Sequence, residues 1–380
     1  MRKLTALFVL LLLAAACTPA TAPTPTPTKA ATSAAVTATK PPAEPTKPGA
    51  VAATPTLKPA VKPLDPPVTL KLGGTGSVSE GMLYMADAKG YFLEEGLKVE
   101  FVRFRSATEM VAPLGTGELD AGGGSPGPGL FNAIARDIPL KIVADRSTAR
   151  PGQSSTALMV RKDLIDSGQV KGYSDIKGKT FAIVSKGAAG EIDLDKVLEL
   201  GKVRVEDVNV VYLPFPDMIV AFANKAIDMA ISIDPYNAQA AVQGVAVRWK
   251  GEDEFYPNHE TSVLLYGANF HKTKPEAAKR FMVAYLRGIR DYVSAFTKNI
   301  NRNEIISLLA KTTDVKDPAL YDKMAITGVD PNGYPNPQSI GADQDWYFSK
   351  GLMPQKVDLS KVIDNQYVDY ALERLGKYQP

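Results

Sequence analysis

Residues 110–126 read MVAPLGTGELDAGGGSP, and residues 218–235 read MIVAFANKAIDMAISIDP. Each stretch opens on a methionine (Met110, Met218) and reaches an aspartate ten residues later (Asp120, Asp228). Each then runs through an alanine-containing segment into a proline loop, Ser125-Pro126 in the first and Asp234-Pro235 in the second. Upstream, LKVEFVRF (97–104) matches VNVVYLPF (208–215) in position and in its period-two alternation of apolar residues, the pattern of a half-buried strand. Each copy therefore reads strand, helix, strand. The helix entries agree: Ser106 with Glu109 three residues on has the form of a capping box, and Pro216-Asp217 occupy the matching first turn. The offset of 108 residues separates the copies too far for adjacent repeats of a solenoid.

Working outward, the remaining body is long enough for two lobes. The reading places lobe 1 at 67–158, lobe 2 at 159–248, and a return to lobe 1 with C-terminal helices at 249–380. STALMVR (155–161) leads out as a strand, while VAVRWK and TSVLLYGANF lead back. Thr273 with Glu276 predicts a capped helix whose apolar face carries Phe281, Tyr285, Ile289, Tyr292 and Phe296. The expected fold class is α/β: two doubly wound lobes joined by a two-strand hinge, with the cleft at the strand ends.

The N-terminal region has a different character. Arg2 and Lys3, then apolar Leu4 to Leu13 and the small residues Ala14, Ala15 and Ala16, predict a signal peptide over 1–16. Cys17, the only cysteine of the chain, follows it in a context that resembles the lipobox of bacterial lipoproteins, with Ala14 as a departure where leucine is more usual. Residues 17–66 are dominated by Pro, Thr, Ala, Ser and Lys, a composition that supplies no core and suits a tether. Lipid attachment at Cys17 would leave a monomeric body leashed to the outer face of a cell membrane. Basic and acidic residues nearly balance, 44 against 41, so nucleic acid is not an expected partner.

Motifs of catalysis are sparse. His259 and His271 lack carboxylate or cysteine neighbours at ligand spacing and sit in polar sequence, so both are expected at the surface, with no metal site and no cofactor. Gly122, Gly124 and Gly127 match the dinucleotide-binding spacing, and Asp145 ends the next strand where a ribose-binding acid would stand. This GGGSPG loop is the basis of an alternative reading as a dinucleotide-dependent enzyme; the second copy, SIDPYN, has no glycines at that place.

AKGYFLEEGLKVEF, GTGELDAGGG, IKGKTFAIV and IDMAISIDPY together resemble the periplasmic substrate-binding proteins of ABC importers, in the group that includes thiamine-pyrimidine, sulfonate and nitrate binders. The resemblance implies a type II two-lobed binding protein that delivers its ligand to a membrane permease. Related enzymes that synthesise the thiamine pyrimidine use a cysteine-rich motif, which this chain lacks. Candidate ligand groups are Ser77, Ser79, Glu80 and Tyr84 from the first loop and helix, Ser106, then Gly123, Gly124 and Ser125, and from lobe 2 Lys186, Gly187, Asp234 and Tyr236. The serines have helix capping as their alternative, favoured over ligand contact for Ser106, and the tyrosines could equally fill the core. The mouth loops contain no arginine but do contain Glu80 and Asp234. That pattern predicts a neutral, planar ligand between Tyr84 and Tyr236, such as riboflavin or a thiamine pyrimidine precursor, with taurine, other alkanesulfonates or nitrate as the alternative.

Overall fold

The computed structural model describes residues 61–104 and 107–379. The signal sequence, Cys17, most of the proline-rich stretch and Ser106 lie outside these residues. Among the described residues, ten strands form two five-stranded sheets. The first holds β1 (Val68–Gly74), β2 (Leu97–Arg103), β3 (Ala121–Gly124), β4 (Lys141–Thr148) and β10 (Glu260–Tyr266), in the order β2-β1-β3-β10-β4. The second holds β5 (Thr156–Arg161), β6 (Thr180–Ile183), β7 (Asn209–Tyr212), β8 (Met229–Ile233) and β9 (Ala246–Gly251), in the order β7-β6-β8-β5-β9.

The two orders are the same pattern. In each sheet three parallel strands are followed by one antiparallel strand supplied from across the molecule: β10 pairs antiparallel with β3 and β4, and β5 with β8 and β9. The repeated sequence supplies β2, helix Val111–Thr116 and β3 in one sheet, and β7, helix Phe215–Ala223 and β8 in the other. The third strands agree in register, since Leu72 pairs with Ala121 and Phe181 with Met229. The preceding strands do not match as the sequence aligned them, because Phe101 pairs with Leu72 while Val210, and not the aligned Tyr212, pairs with Phe181. The chain crosses between sheets twice, from Thr148 to Thr156 and from Gly251 to Glu260.

Helix Pro275–Lys298 crosses the core of the first lobe because Ala278, Met282, Tyr285, Ile289 and Tyr292 recur on one face and are all buried against Leu70, Leu72 and Leu264. Its start differs from expectation. Thr273 closes a separate short helix, Phe270–Thr273, and its hydroxyl donates to the Asn269 carbonyl at 2.8 Å; Glu276 pairs with Arg280. Pro275 opens the long helix instead, with φ preset and no N–H to satisfy. The later helix Pro337–Ser349 lies where the lobes meet: Ile340 and Tyr347 share an apolar cluster with Ile192 of the second lobe, and the Trp346 indole donates to Asp195 at 3.0 Å. Among the described residues no helix is long and apolar enough to cross a membrane.

Candidate functional site

A cavity of about 690 Å³ opens between the loop after β3 and the loop after β6. Ser125, Gly127, Pro128, Gly129 and Leu130 line one wall; Val184, Ser185, Lys186, Gly187, Ala188 and Ala189 line the other, with Val111 and Leu352 at the margin. Both loops leave the carboxyl ends of parallel strands, the place where open α/β sheets present backbone amides and helix starts to ligands. Helix Ala189–Gly201 begins on this wall with no side-chain cap at Ala188, so its first amides and the positive end of its dipole are presented there. The Gly187 N–H is held by Glu191 Oε2 at 2.9 Å, which fixes the loop carrying Lys186. No lining residue is acidic or aromatic; Ser125, Ser185 and Lys186 are its polar side chains, and glycine, alanine, proline, valine and leucine make up the rest.

Of the residues singled out from sequence, Ser125, Lys186 and Gly187 share this cavity. Ser77 and Ser79 sit on the loop after β1 with their hydroxyls 2.9 Å apart. Tyr84 is 8 % exposed, tilted against Phe101 at 4.6 Å between centroids, and lines a smaller cavity with Arg103. Tyr236 lies in the other lobe, stacked on Phe215, and lines neither cavity. Gly123 and Gly124 belong to β3 and not to the cleft. Their missing side chains make room for Arg146 and Leu265, each with an atom 2.5 Å or less from where a Cβ would stand.

The two carboxylates taken as signs of a neutral ligand do not line this cavity. Glu80 is 1 % exposed and fully engaged: it accepts from the Thr75 and Gly76 amides, the Thr75 and Tyr84 hydroxyls and Arg146 Nη1 at 2.9 Å. It therefore closes its own loop. Asp234 is buried and accepts from the Ala238 and Ala325 amides, and burial pushes its carboxyl up to about 6. Two arginines lie near these groups although the loops themselves contain none: Arg103 lines the smaller cavity beside Tyr84, and Arg146 is buried against Glu80. Arg103 ends β2 and pairs with Asp314, and Arg146 comes from β4. Both arrive on strands, so a search of the loop sequences does not find them.

The dinucleotide reading fails on Asp145. This residue is 0 % exposed, with its carboxylate accepting the Asp330 amide at 2.6 Å and its carbonyl accepting the Tyr285 hydroxyl, so it cannot reach a ribose. His259 is likewise not at the surface. It is 0 % exposed, with Nδ1 2.5 Å from Glu252 Oε1, Nε2 2.9 Å from Asp343 Oδ2, and Tyr256 stacked on its ring. Burial disfavours its charge, but Asp343 and Glu252 outweigh burial and raise its pKa. Asp193 Oδ1 also stands 3.4 Å from His259 Nδ1. Glu252 lies seven residues earlier in the same crossing between sheets, while Asp193 and Asp343 come from distant helices, so the set has no motif spacing. His271 is half-buried on the helix Phe270–Thr273, and burial lowers its pKa.

Residues 79–295, more than half of the chain, match the profile of the family described as NMT1/THI5 like. The chain belongs to the NMT1/THI5-like family. Among relatives of this NMT1/THI5-like protein, a Bacillus subtilis (strain 168) protein named for binding aliphatic sulfonates is 25 % identical over 308 residues, 77 % of this chain and 85 % of that one. An Aspergillus parasiticus 4-amino-5-hydroxymethyl-2-methylpyrimidine phosphate synthase is 26 % identical over 232 residues, 56 % of this chain and 62 % of that one. In three dimensions the NMT1/THI5-like chain superposes on the periplasmic aliphatic sulphonate binding protein SsuA from Escherichia coli with a TM-score of 0.63 at 22 % identity, covering 79 % of this chain and 92 % of the other. The fold is thus the two-lobed one of periplasmic binding proteins.

Proposed function

We propose that this protein is the solute-binding component of an ABC-type importer, working outside the cytoplasm, and that its solute has an anionic head on a small organic body. The observation that carries the anionic head is the cavity between Ser125 and Lys186. Its donors are hydroxyls, one ammonium and the uncapped start of a thirteen-residue helix, with no carboxylate and no aromatic ring among the lining residues. A sulfonate needs three acceptor oxygens satisfied and one negative charge balanced, and such a wall supplies both. Val111, Leu130, Val184 and Leu352 suit a short alkyl tail. The Bacillus relative named for aliphatic sulfonates supports the same class. A stacked heterocycle such as riboflavin would require aromatic faces, and Tyr84 and Tyr236 do not line this cavity.

We also propose a binding role over a catalytic one, since the residues lining the cavity include no carboxylate, imidazole or thiol to begin a reaction. Cys17, ahead of a proline- and threonine-rich stretch, is the proposed lipid attachment point; Cys17→Ser should then release the protein from membranes. Calorimetric titration of the purified protein with butanesulfonate, taurine, nitrate and riboflavin tests the solute. Butanesulfonate is expected to bind and to weaken at least tenfold in Lys186→Gln, with unchanged butanesulfonate recovered afterwards. Binding of riboflavin alone, unaffected by Lys186→Gln, would sink the anionic reading.

A further inference from the structure

We propose that Asp193, Glu252 and His259 form a divalent-cation site at the junction of the lobes, with Asp343 orienting the imidazole, and that zinc is the metal it takes. Donor atoms converge there: one from each of Asp193, Glu252 and His259 lie within 4.8 Å of one another, and His259 Nδ1 stands 3.4 Å from Asp193 Oδ1 and 2.5 Å from Glu252 Oε1, on side chains no more than 2 % exposed. The atoms pointing away from that centre are held by other groups. Glu252 Oε2 accepts from the Ser154 hydroxyl, Asp343 Oδ1 accepts from the Tyr256 hydroxyl, and Asp343 Oδ2 faces His259 Nε2. Carboxylate behind imidazole, with the other ring nitrogen turned to a shared centre, is how metal-binding histidines are oriented.

Asp193 Oδ1 is the decisive atom. It is fully buried, aimed at the centre and without a hydrogen-bond partner. A single proton on His259 Nδ1 can serve Glu252 at 2.5 Å but leaves Asp193, at 3.4 Å, outside the bond. A cation between the three serves all of them. One imidazole and two carboxylates make a nitrogen–oxygen donor set that suits zinc. Donors about 2.0–2.1 Å from a tetrahedral ion stand roughly 3.3 Å apart. Asp193 and His259 already meet that spacing, and Glu252 would withdraw by somewhat less than 1 Å.

The site would do mechanical work. Asp193 lies four residues, about 6 Å along the helix axis, behind Ala189 on the cleft wall. Glu252 follows β9, His259 precedes β10, and Asp343 belongs to the helix packed between the lobes. An ion here would fasten one crossing and the cleft helix to the C-terminal region.

The test uses the full chain, stripped with a chelator and reloaded with Zn²⁺ or Co²⁺. About one zinc per chain by mass spectrometry, a rise in melting temperature with Zn²⁺ but not Mg²⁺, and a visible Co²⁺ absorption band are expected. Asp193→Asn, which keeps the His259–Glu252 bond and should fold, is expected to lose all three, and Asp343→Asn to bind about 10–100-fold more weakly. His271→Gln, which changes the other histidine, should bind as the parent does. If the folded parent takes up neither ion, or if Asp193→Asn takes up both unchanged, protons hold this cluster and the proposal is wrong.

Discussion

Asp120 and Asp228, 108 residues apart, make the same bonds at the same place in two sheets. Asp120 donates its amide to the Lys71 carbonyl and accepts the Lys71 amide on Oδ2; Asp228 does both with Thr180. Each carboxylate then meets a cation at 2.8 Å, Lys274 in one sheet and Arg161 in the other. The aspartate fixes where the third parallel strand joins the first, and so fixes which residues emerge at the strand ends. Asp120→Ala and Asp228→Ala are each expected to cost about 1–2 kcal/mol, because a charged hydrogen bond is lost and a backbone amide is left to solvent. Urea unfolding of the two variants checks it; a loss in one with none in the other would contradict the equivalence.

Gly123 and Gly122 are neighbours with different demands. A Cβ on Gly123 would stand 2.3 Å from the Arg146 guanidinium, which cannot retreat because Glu80 and Ser262 hold it. A Cβ on Gly122 meets the flexible Met110 thioether at 3.3 Å. Gly123→Ala should cost about 1–3 kcal/mol, and Gly122→Ala distinctly less. Thermal melts of both variants separate them, and equal losses would show that Arg146 yields easily.

The duplicated unit was legible because strand period and the methionine-to-aspartate spacing are local, and the two-lobed organisation followed from the strands that lead out and back. What fills the space around a glycine is not local. Arg146 and Leu265 reach Gly123 and Gly124 from β4 and β10, so the glycines read as cleft when they are packing. Glu80 and Asp234 misled for a related reason: in sequence they are loop acids, while in the fold their oxygens are spent on amides and arginine. Ser125, Lys186 and Gly187 could be placed together on one cavity because they follow strands directly, and strand ends are predictable. His259 was missed because two of its carboxylates, Asp193 and Asp343, come from distant segments, and the third, Glu252, stands seven residues away at no motif spacing.

Tyr84 offers a clean separation of packing from binding. Its ring rests on Phe101 and its hydroxyl donates to Glu80 at 3.2 Å, while the cavity between Ser125 and Lys186 lies elsewhere. Tyr84→Ala should lower the melting temperature, with a cost of about 3 kcal/mol for a truncated buried aromatic, and leave solute affinity within about twofold. A large loss of affinity with an unchanged melting temperature would return Tyr84 to the binding surface.

Asp234 makes stability depend on pH with a sign opposite to that of an ordinary ion-paired carboxylate. Its carboxyl stands at about 6 in the fold against 3.8 as a free group, because burial outweighs the help of the Ala325 and Ala238 amides and of Arg248. The folded state therefore holds this proton more tightly than the unfolded chain does. The contribution is fully present below pH 3.8 and is lost as pH rises to about 6, amounting to about 2–3 kcal/mol. Asp234→Asn cannot titrate and removes that slope. Denaturation of parent and variant from pH 4 to 7 should show the parent's advantage shrinking up to pH 6 and levelling beyond it. An advantage that grows with pH would mean that Arg248 and the two amides dominate, with the carboxylate favoured in the fold.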